Sequence, residues 1–187
     1  MDFKELLAKR RSVRDFEDKP VPIDLVKEIL KDAVKAPSAG NRQPWKFIVV
    51  SNKAWIKRIS DASRDIILKG IEKNPDSPMK KYEQVLRQKD YNAFYNAPCL
   101  VLMVGPEMPT IRMDVSLAAC YFMMSATTRG LGTCWVAQGA EVRDAELLKE
   151  IGLPEGHRII APIILGYPKA IPAPTERNEP VILKIIS

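Results

Sequence analysis

Apolar residues recur along this chain in two patterns, one typical of helices that pack on one face and one typical of buried strands. The helical pattern predicts helices over residues 2–9, 22–35, 52–60, 112–129 and 144–151, with a helical fragment over 82–88. Continuous apolar runs predict strands over residues 46–50, 97–104, 133–136, 158–165 and 181–186. Neither a repeat nor an internal boundary interrupts this series, so we expect residues 1–187 to form one domain.

The connection between the second helix and the first strand, residues 36–45, is richer in polar and rigid residues than a short turn requires. Pro37 and Pro44 stiffen its backbone, and Gly40 permits a positive φ or the close approach of another molecule. Its hydrogen-bonding side chains are those of Ser38, Asn41 and Gln43. This composition fits the edge of a planar heterocycle. The alternative is a helix end capped by Gly40, with Trp45 in the core.

A second candidate site is the basic segment over residues 10–16, which directly follows the first predicted helix. It contains Arg10, Arg11, Ser12 and Arg14. Guanidinium groups pair bidentately with phosphate, and a serine hydroxyl adds one more donor. The segment therefore predicts an anion site, with an exposed basic turn as the alternative.

Composition narrows the function classes. The chain is 46% hydrophobic and 28% charged, which is typical of a soluble globular protein. Its net charge is +6, but basic residues alternate with acidic ones, as in residues 27–31, so we expect no nucleic-acid partner. The first ten residues lack the apolar core of a signal peptide, and no uncharged stretch has the length of a membrane span. We therefore expect a cytoplasmic protein without a membrane partner.

Cysteine and histidine usage excludes the common metal sites. Cys99, Cys120 and Cys134 are odd in number and lie in apolar segments, so buried thiols are expected instead of disulfides. The sequence has one histidine, His157, and no Cys-x-x-Cys pair, so we expect no metal site.

Two regions lack a clear pattern. Over residues 61–96 the apolar spacing loosens, and we interpret this stretch as a cover over a pocket, with a plain surface excursion as the alternative. Residues 168–180 contain four prolines and little apolar surface, yet residues 181–186 are too apolar to be left in water. An extended arm that ends in a strand suits addition to the sheet edge of a partner subunit.

Five segments, taken in their order and spacing, resemble the nitroreductase family of FMN-dependent flavoproteins. They are residues 9–16, 37–45, 96–98, 130–135 and 165–168, so the resemblance covers nearly the whole chain. It implies an α+β fold, a three-layer α-β-α sandwich whose mostly antiparallel sheet is flanked by helices. It also implies a homodimer that holds two FMN molecules at its interface and exchanges a C-terminal arm, residues 168–187.

The resemblance further implies a set of cofactor-binding residues. One subunit would contribute Arg10, Arg11, Ser12 and Arg14, and the other would contribute Pro37, Ser38, Ala39 and Asn41. Around the rest of the cofactor, the implied contacts are Gln138 and Gly139 near the flavin N5 atom and Arg177 at the phosphate. Arg10 would reach the phosphate, and Arg14 would lie at the pyrimidine edge, where it would stabilise the reduced flavin.

The match to the family pattern has two departures. The family often has a small hydroxyl residue at the position of Ala39, and its arm commonly carries two basic residues. In this chain the corresponding part of the arm, residues 175–178, supplies one basic residue, Arg177.

The expected activity is that of an NAD(P)H oxidoreductase working in a ping-pong cycle. NADH or NADPH would reduce FMN, and a nitroaromatic, quinone or similar small oxidant would then take the electrons. The residues supply no nucleophile, metal cluster or carboxylate pair, as expected when a cofactor carries the reaction. Two alternatives remain open: a flavin-fragmenting or dehalogenating enzyme on the same fold, and a flavin- or nucleotide-binding protein without enzymatic activity.

Overall fold

The computed structural model describes residues 1–186, and Ser187, the last residue of the predicted arm, lies outside them. The α-helices in this range are α1 Phe3–Lys9, α2 Ile23–Ala33, α3 Lys53–Lys73, α4 Glu83–Leu86, α5 Ile111–Thr128 and α6 Ala145–Glu150. The strands are β1 Lys46–Val50, β2 Cys99–Pro106, β3 Gly132–Trp135 and β4 His157–Gly166. Apart from α3, each begins and ends within two residues of the predicted bounds.

Three helices begin at side chains that cap their first turn. Asp2 and Glu5 form a capping box on α1, in which each side chain accepts a hydrogen bond from the other residue's backbone N–H. The side chains of Asn52 and Asp144 cap α3 and α6. Each cap satisfies backbone donors that would otherwise lack a partner and stabilises its helix by about 1 kcal/mol.

The four strands form one antiparallel sheet in the order β1-β2-β4-β3. Ile48 of β1 pairs with Leu102 of β2, and Cys134 of β3 pairs with Ile164 of β4. β2 and β4 lie at the centre of the sheet with a neighbour on either side, which is why their residues are mostly buried.

Helices cover both faces of this sheet. α2 and α5 pack on the face that carries Val101 and Met103, whereas α3 and α6 pack on the face that carries Leu100 and Leu102. Because successive side chains of a strand point to opposite faces, a strand buried on both sides reads as a continuous apolar run. The predicted α+β fold, a three-layer α-β-α sandwich with an antiparallel sheet, is confirmed.

Two expectations about single elements were wrong. α3 was expected to end near residue 60, but it continues to Lys73 because Ile67 and Ile71 extend its buried face. β1 was expected to be a buried strand. It lies at the edge of the sheet, and its residues 47–50 are only half-buried.

The C-terminal segment runs over the surface without pairing in the single chain. Residues 169–186 are exposed, and no strand forms over residues 181–186. Leu183 is 94% exposed and Val181 83%. Whether this segment pairs with the sheet of a partner subunit therefore stays a prediction.

The three cysteines are free, as predicted, and Cys99 and Cys134 are buried. Cys120 is exposed instead, because it lies on the outer side of α5. None of the helices within residues 1–186 combines the length and the hydrophobicity that a bilayer crossing requires.

Candidate functional site

The basic segment after α1 is fixed to the edge of the sheet by its backbone. Ser12 forms an isolated parallel bridge with Thr133, and the N–H of Val13 donates to the Thr133 carbonyl at 3.0 Å. Val13 and Phe16 point inward and are buried, whereas Arg14 is exposed. The backbone is thus held rigidly while the arginine side chain faces outward.

A cavity of about 490 Å³ adjoins this segment. One wall consists of residues 134–138, which run from the end of β3 into the turn after it. Another wall belongs to the stretch over residues 82–95, which includes α4. The charged, polar and aromatic residues around it are Arg14, Tyr82, Gln88, Asp90, Tyr91, Asn92, Tyr95, Trp135 and Gln138. Part of the 61–96 stretch does therefore line a pocket, and the structure brings the predicted residues Arg14 and Gln138 to the same one.

The position of Gln138 is set by two hydrogen bonds. It lies in the 3₁₀ turn Ala137–Ala140, where its backbone carbonyl accepts a hydrogen bond from Ser63 Oγ and its side-chain Oε1 accepts one from the Tyr91 hydroxyl at 2.9 Å. Burial raises the pKa of that tyrosine, so the hydroxyl keeps the proton that it donates. Within residues 1–186 the side-chain amide nitrogen of Gln138 makes no hydrogen bond, so it remains available as a donor.

Gly139 lies behind the cavity wall, among buried residues, and does not line the cavity. A Cβ atom at this position would lie 2.4 Å from Cε1 of Phe94, far inside van der Waals contact. The close packing of Phe94 against residue 139 thus explains why this position has no side chain. Gln138 is the residue of the predicted pair that meets the cavity.

The loop over residues 36–45 folds back on itself. Ser38 Oγ accepts a hydrogen bond from the N–H of Gln43 at 2.9 Å, and the side chain of Gln43 donates to Asn41 Oδ1 at 3.1 Å. Gly40 and Asn41 have positive φ angles of 58° and 52°, a conformation that glycine and asparagine adopt most readily. Trp45 is buried at the end of the loop, as the alternative reading of this segment expected.

Pro37, Ala39 and Asn41 are exposed on this loop, and Ser38 is half-buried. Residues 37–41 do not line the cavity that holds Arg14. The single chain therefore does not bring the two predicted halves of the cofactor site together.

The remaining predicted residues lie outside the Arg14 cavity. Arg10, Arg11 and Ser12 are half-buried, and the Nε atom of Arg11 is buried without a hydrogen-bond partner in the described part of the chain. Arg11 lines a second cavity of about 680 Å³, which the C-terminal arm closes on one side at Ile171. Arg177 is exposed further along the arm and donates to Thr175 Oγ1 at 2.6 Å.

These residues fit FMN on the chemistry of their donors. The buried Nε of Arg11 lacks an acceptor, and Arg10 and Ser12 lie beside it in the chain, which suits a phosphate. The Arg14 cavity offers aromatic walls for a planar ring and a guanidinium for its polar edge.

Comparison with known proteins decides the family. The model of the nitroreductase family matches residues 7–167. This chain belongs to the nitroreductase family. Its antiparallel three-layer sandwich is the nitroreductase fold. A crystal structure of a nitroreductase with bound FMN from Desulfitobacterium hafniense superposes with a TM-score of 0.78, at 25% identity, covering 94% of this chain and 93% of that one.

Two curated relatives differ in the activity that their names state. Nitrobenzene nitroreductase from Ectopseudomonas oleovorans is 27% identical over an alignment 203 residues long, gaps included. The alignment covers 87% of this chain and 85% of that protein. Iodotyrosine deiodinase from Thermotoga neapolitana is 28% identical over 183 residues, which cover 95% of each chain. Membership of the nitroreductase family therefore leaves the oxidising substrate open.

Sequence reasoning missed three polar residues around the site. Ser63 and Tyr91 hold Gln138, and Asp114 accepts a hydrogen bond from the backbone of the 36–45 loop. The one available signal was Asp114, an acid in the apolar helix α5, where a polar residue calls for a partner. The serine and the tyrosine gave no signal, since their partners lie 75 and 47 residues away in sequence.

Proposed function

We propose that this chain is an FMN-dependent NAD(P)H oxidoreductase of the nitroreductase type, which reduces a nitroaromatic, quinone or similar small oxidant in a ping-pong cycle. The observation that carries the proposal is the cavity in which Arg14 and Gln138 meet, on a chain that belongs to this family. FMN, when bound, supplies a ring that accepts a hydride from NADH or NADPH and passes two electrons to the oxidant.

The protein's part is to bind and to set the electrostatics. Arg10, Arg11 and Ser12 would hold the phosphate, because their donors are concentrated in one rigid segment. Arg14 would place a positive charge at the pyrimidine edge and so favour a ring that carries negative charge after reduction. Gln138, locked by Tyr91, would present its amide to the N5 region.

We infer that the active species is a homodimer. α5 is built mostly of apolar and small residues, which is typical of a buried helix, yet Met113, Leu117 and Tyr121 are 61%, 42% and 42% exposed. Their spacing of four residues puts them on one face. A second copy of the chain that packs on this face would cover it and could bring Pro37, Ser38, Ala39 and Asn41 to the partner's FMN.

The C-terminal arm extends this proposal. We infer that residues 1–187 form one FMN-binding domain and that the arm, residues 168–187, crosses to the partner, carrying Arg177 towards the phosphate. The apolar residues over 181–186 are exposed in the single chain, and the edge strand β1 is free on one side. Edge strands of this kind are extended by added strands.

A cytoplasmic location is part of the same proposal. Three free cysteines fit a reducing compartment, and NADH and NADPH are supplied there.

The first experiment identifies the cofactor. Purified protein is heated to release its chromophore, and chromatography separates FMN from FAD. The proposal expects FMN. Finding FAD, or no flavin after incubation with excess FMN, would contradict it. Loss of the flavin colour on addition of NADH or NADPH then separates an oxidoreductase from a flavin-binding protein without enzymatic activity.

Reductive dehalogenation is the second candidate, because the deiodinase from Thermotoga neapolitana matches this chain over 95% of its length. Anaerobic turnover with a halogenated phenol and with a nitroaromatic separates the two. Release of halide at a rate above that of nitro reduction would favour the dehalogenase.

A further inference from the structure

Asp114, in the first turn of α5, is a buried acid that no step of the proposed reaction uses. This residue is only 3% exposed, and its neighbours on the helix, Ile111, Val115 and Ala118, are fully buried. Its Oδ1 atom accepts a hydrogen bond from the backbone N–H of Ala39 at 2.9 Å. Its Oδ2 atom is buried and has no hydrogen-bond partner within residues 1–186.

Packing alone does not explain an acid here. A buried carboxylate oxygen without a partner keeps its desolvation penalty, so an apolar residue of similar size would pack at least as well. The start of a helix favours negative charge, but that gain is obtained equally at an exposed position. The neighbouring Thr110 Oγ1 is also buried without a partner within residues 1–186, so a second polar group beside Asp114 keeps its desolvation penalty. The hydrogen bond to Ala39 is what this carboxylate provides.

That bond ties the 36–45 loop to the helical scaffold. Within the described residues, the other hydrogen bonds made by residues 38–43 join members of this segment to one another, as between Gln43 and Ser38. The Ala39 N–H starts the 3₁₀ turn in which Gly40 and Asn41 take positive φ. A single anchor at Ala39 therefore sets the place of a segment that is otherwise held only by its own bonds and its ends.

We propose that Asp114 is a positioning residue for the cofactor: its carboxylate fixes Ala39 and so presents residues 37–41 to the FMN of the partner subunit. The inference rests on the proposed function, which assigns these loop residues to the partner's cofactor. Asp114 itself touches neither FMN nor substrate.

The test compares three variants by FMN affinity, by unfolding temperature without FMN, and by amide exchange at Ala39. Asp114→Ala removes the anchor, and we expect FMN binding to weaken about tenfold and exchange at Ala39 to accelerate. Asp114→Asn keeps a carbonyl oxygen that can accept from Ala39, so we expect affinity and exchange close to those of the wild type. The unfolding temperature of Asp114→Ala should change little, because the penalty of the unpaired oxygen is lost together with the hydrogen bond. Asp114→Asn exchanges one unpaired buried group for another, so it should also unfold close to the wild-type temperature.

The matched control is Asp32→Ala. Asp32 of α2 also contacts α5, where it accepts hydrogen bonds from Ser125 Oγ and from Arg129, each at 2.9 Å. Its carboxylate oxygens are partnered by Lys35, Ser125 and Arg129, and none of its hydrogen bonds reaches residues 36–45. Its loss should lower the unfolding temperature while FMN affinity and Ala39 exchange stay at the wild-type values.

Two results would overturn the proposal: unchanged FMN affinity in Asp114→Ala, or an Asp114→Asn variant that loses as much affinity as Asp114→Ala. A wild-type chain that binds no FMN would overturn the proposed function instead. In that case exchange at Ala39, which needs no cofactor, would still decide whether Asp114 holds the loop.

Discussion

Replacement of Gly139 by alanine probes the packing behind the candidate site. The added Cβ would lie 2.4 and 2.5 Å from Cε1 and Cζ of Phe94 and 3.2 Å from Cβ of Pro162. Carbon atoms in contact stay about 3.5–4.0 Å apart, so the phenyl ring would have to retreat by about 1 Å. Phe94 is fully buried, which leaves it no free space to move into.

The expected cost follows from two opposing terms. Overpacking of this kind costs about 1–3 kcal/mol. The backbone of Gly139 is not in the left-handed region, so alanine adds no strain there and recovers about 0.5–1 kcal/mol of chain entropy. At the middle of the overpacking range, about 2 kcal/mol, the net loss is about 1–1.5 kcal/mol, which lowers the Tm of a chain of this size by about 2–6 °C.

Thermal unfolding of the FMN-free protein, followed by circular dichroism, measures this loss. Gly70→Ala is the matched control, because Gly70 lies inside α3 and a Cβ there meets nothing within 4 Å. Alanine is the better helix former by about 1 kcal/mol, so this variant should be more stable than the wild type. A Gly139→Ala protein as stable as the wild type would show that Gly139 does not pack against Phe94.

Three further predictions concern charge, pH and assembly. Arg14→Glu should weaken FMN binding by about 2–3 kcal/mol, because it removes a charged donor and adds repulsion. The control Lys4→Glu should bind FMN as the wild type does. Equal FMN affinities of the two variants, measured by flavin titration, would show that Arg14 does not contact the cofactor. Hydrogen bonds from Lys35, Ser125 and Arg129 hold the pKa of Asp32 at about 2, below its ordinary 3.8, so its stabilisation is complete above pH 4 and is lost as the pH falls towards 2. Acid unfolding of Asp32→Asn should therefore depend less on pH in that window, by at most about 1 kcal/mol because the group is partly open to solvent; identical profiles would contradict this. A chain that ends after Tyr167 should lose dimerisation and FMN together, as light scattering and flavin absorbance would report, and a stable flavin-bound dimer would show that the arm is dispensable.

The helices and strands of the sandwich were predictable because burial leaves a periodic trace in the sequence. β2 is buried on both faces and reads as a continuous apolar run, and α5 reads as a long small-residue helix. Both lie within two residues of the predicted bounds. The order and spacing of the motifs indicated the family. The family resemblance in turn implied the antiparallel sheet, which periodicity alone does not predict.

The second half of α3 was missed for a physical reason. Ser60 and Ser63 occupy buried positions on the helix, where they looked like solvent-facing residues in the sequence. Ser60 Oγ accepts from the N–H of Ala93, and Ser63 Oγ donates to the Gln138 carbonyl. Partners that far away in sequence cannot be read from local periodicity, so the apolar stripe seemed to end early.

The candidate site was predictable in part. The cavity brings Arg14 and Gln138 together, and Gly139 lies behind its wall. The contacts of all three with FMN stay a prediction. The anchor Asp114 escaped notice, because its partner is a backbone N–H 75 residues away. The proposed contacts of residues 37–41 and of Arg177 with a cofactor would involve a second chain, so they stay predictions.

Anaerobic titration of the purified, FMN-loaded protein with NADH and with NADPH tests the proposed activity most directly. The flavin absorbance should be lost with one equivalent of donor per chain and should return when a nitroaromatic or a quinone is added. A chain that takes up no FMN, or FMN-loaded protein that neither donor reduces, would contradict the proposal that this nitroreductase-family chain is an FMN-dependent NAD(P)H oxidoreductase.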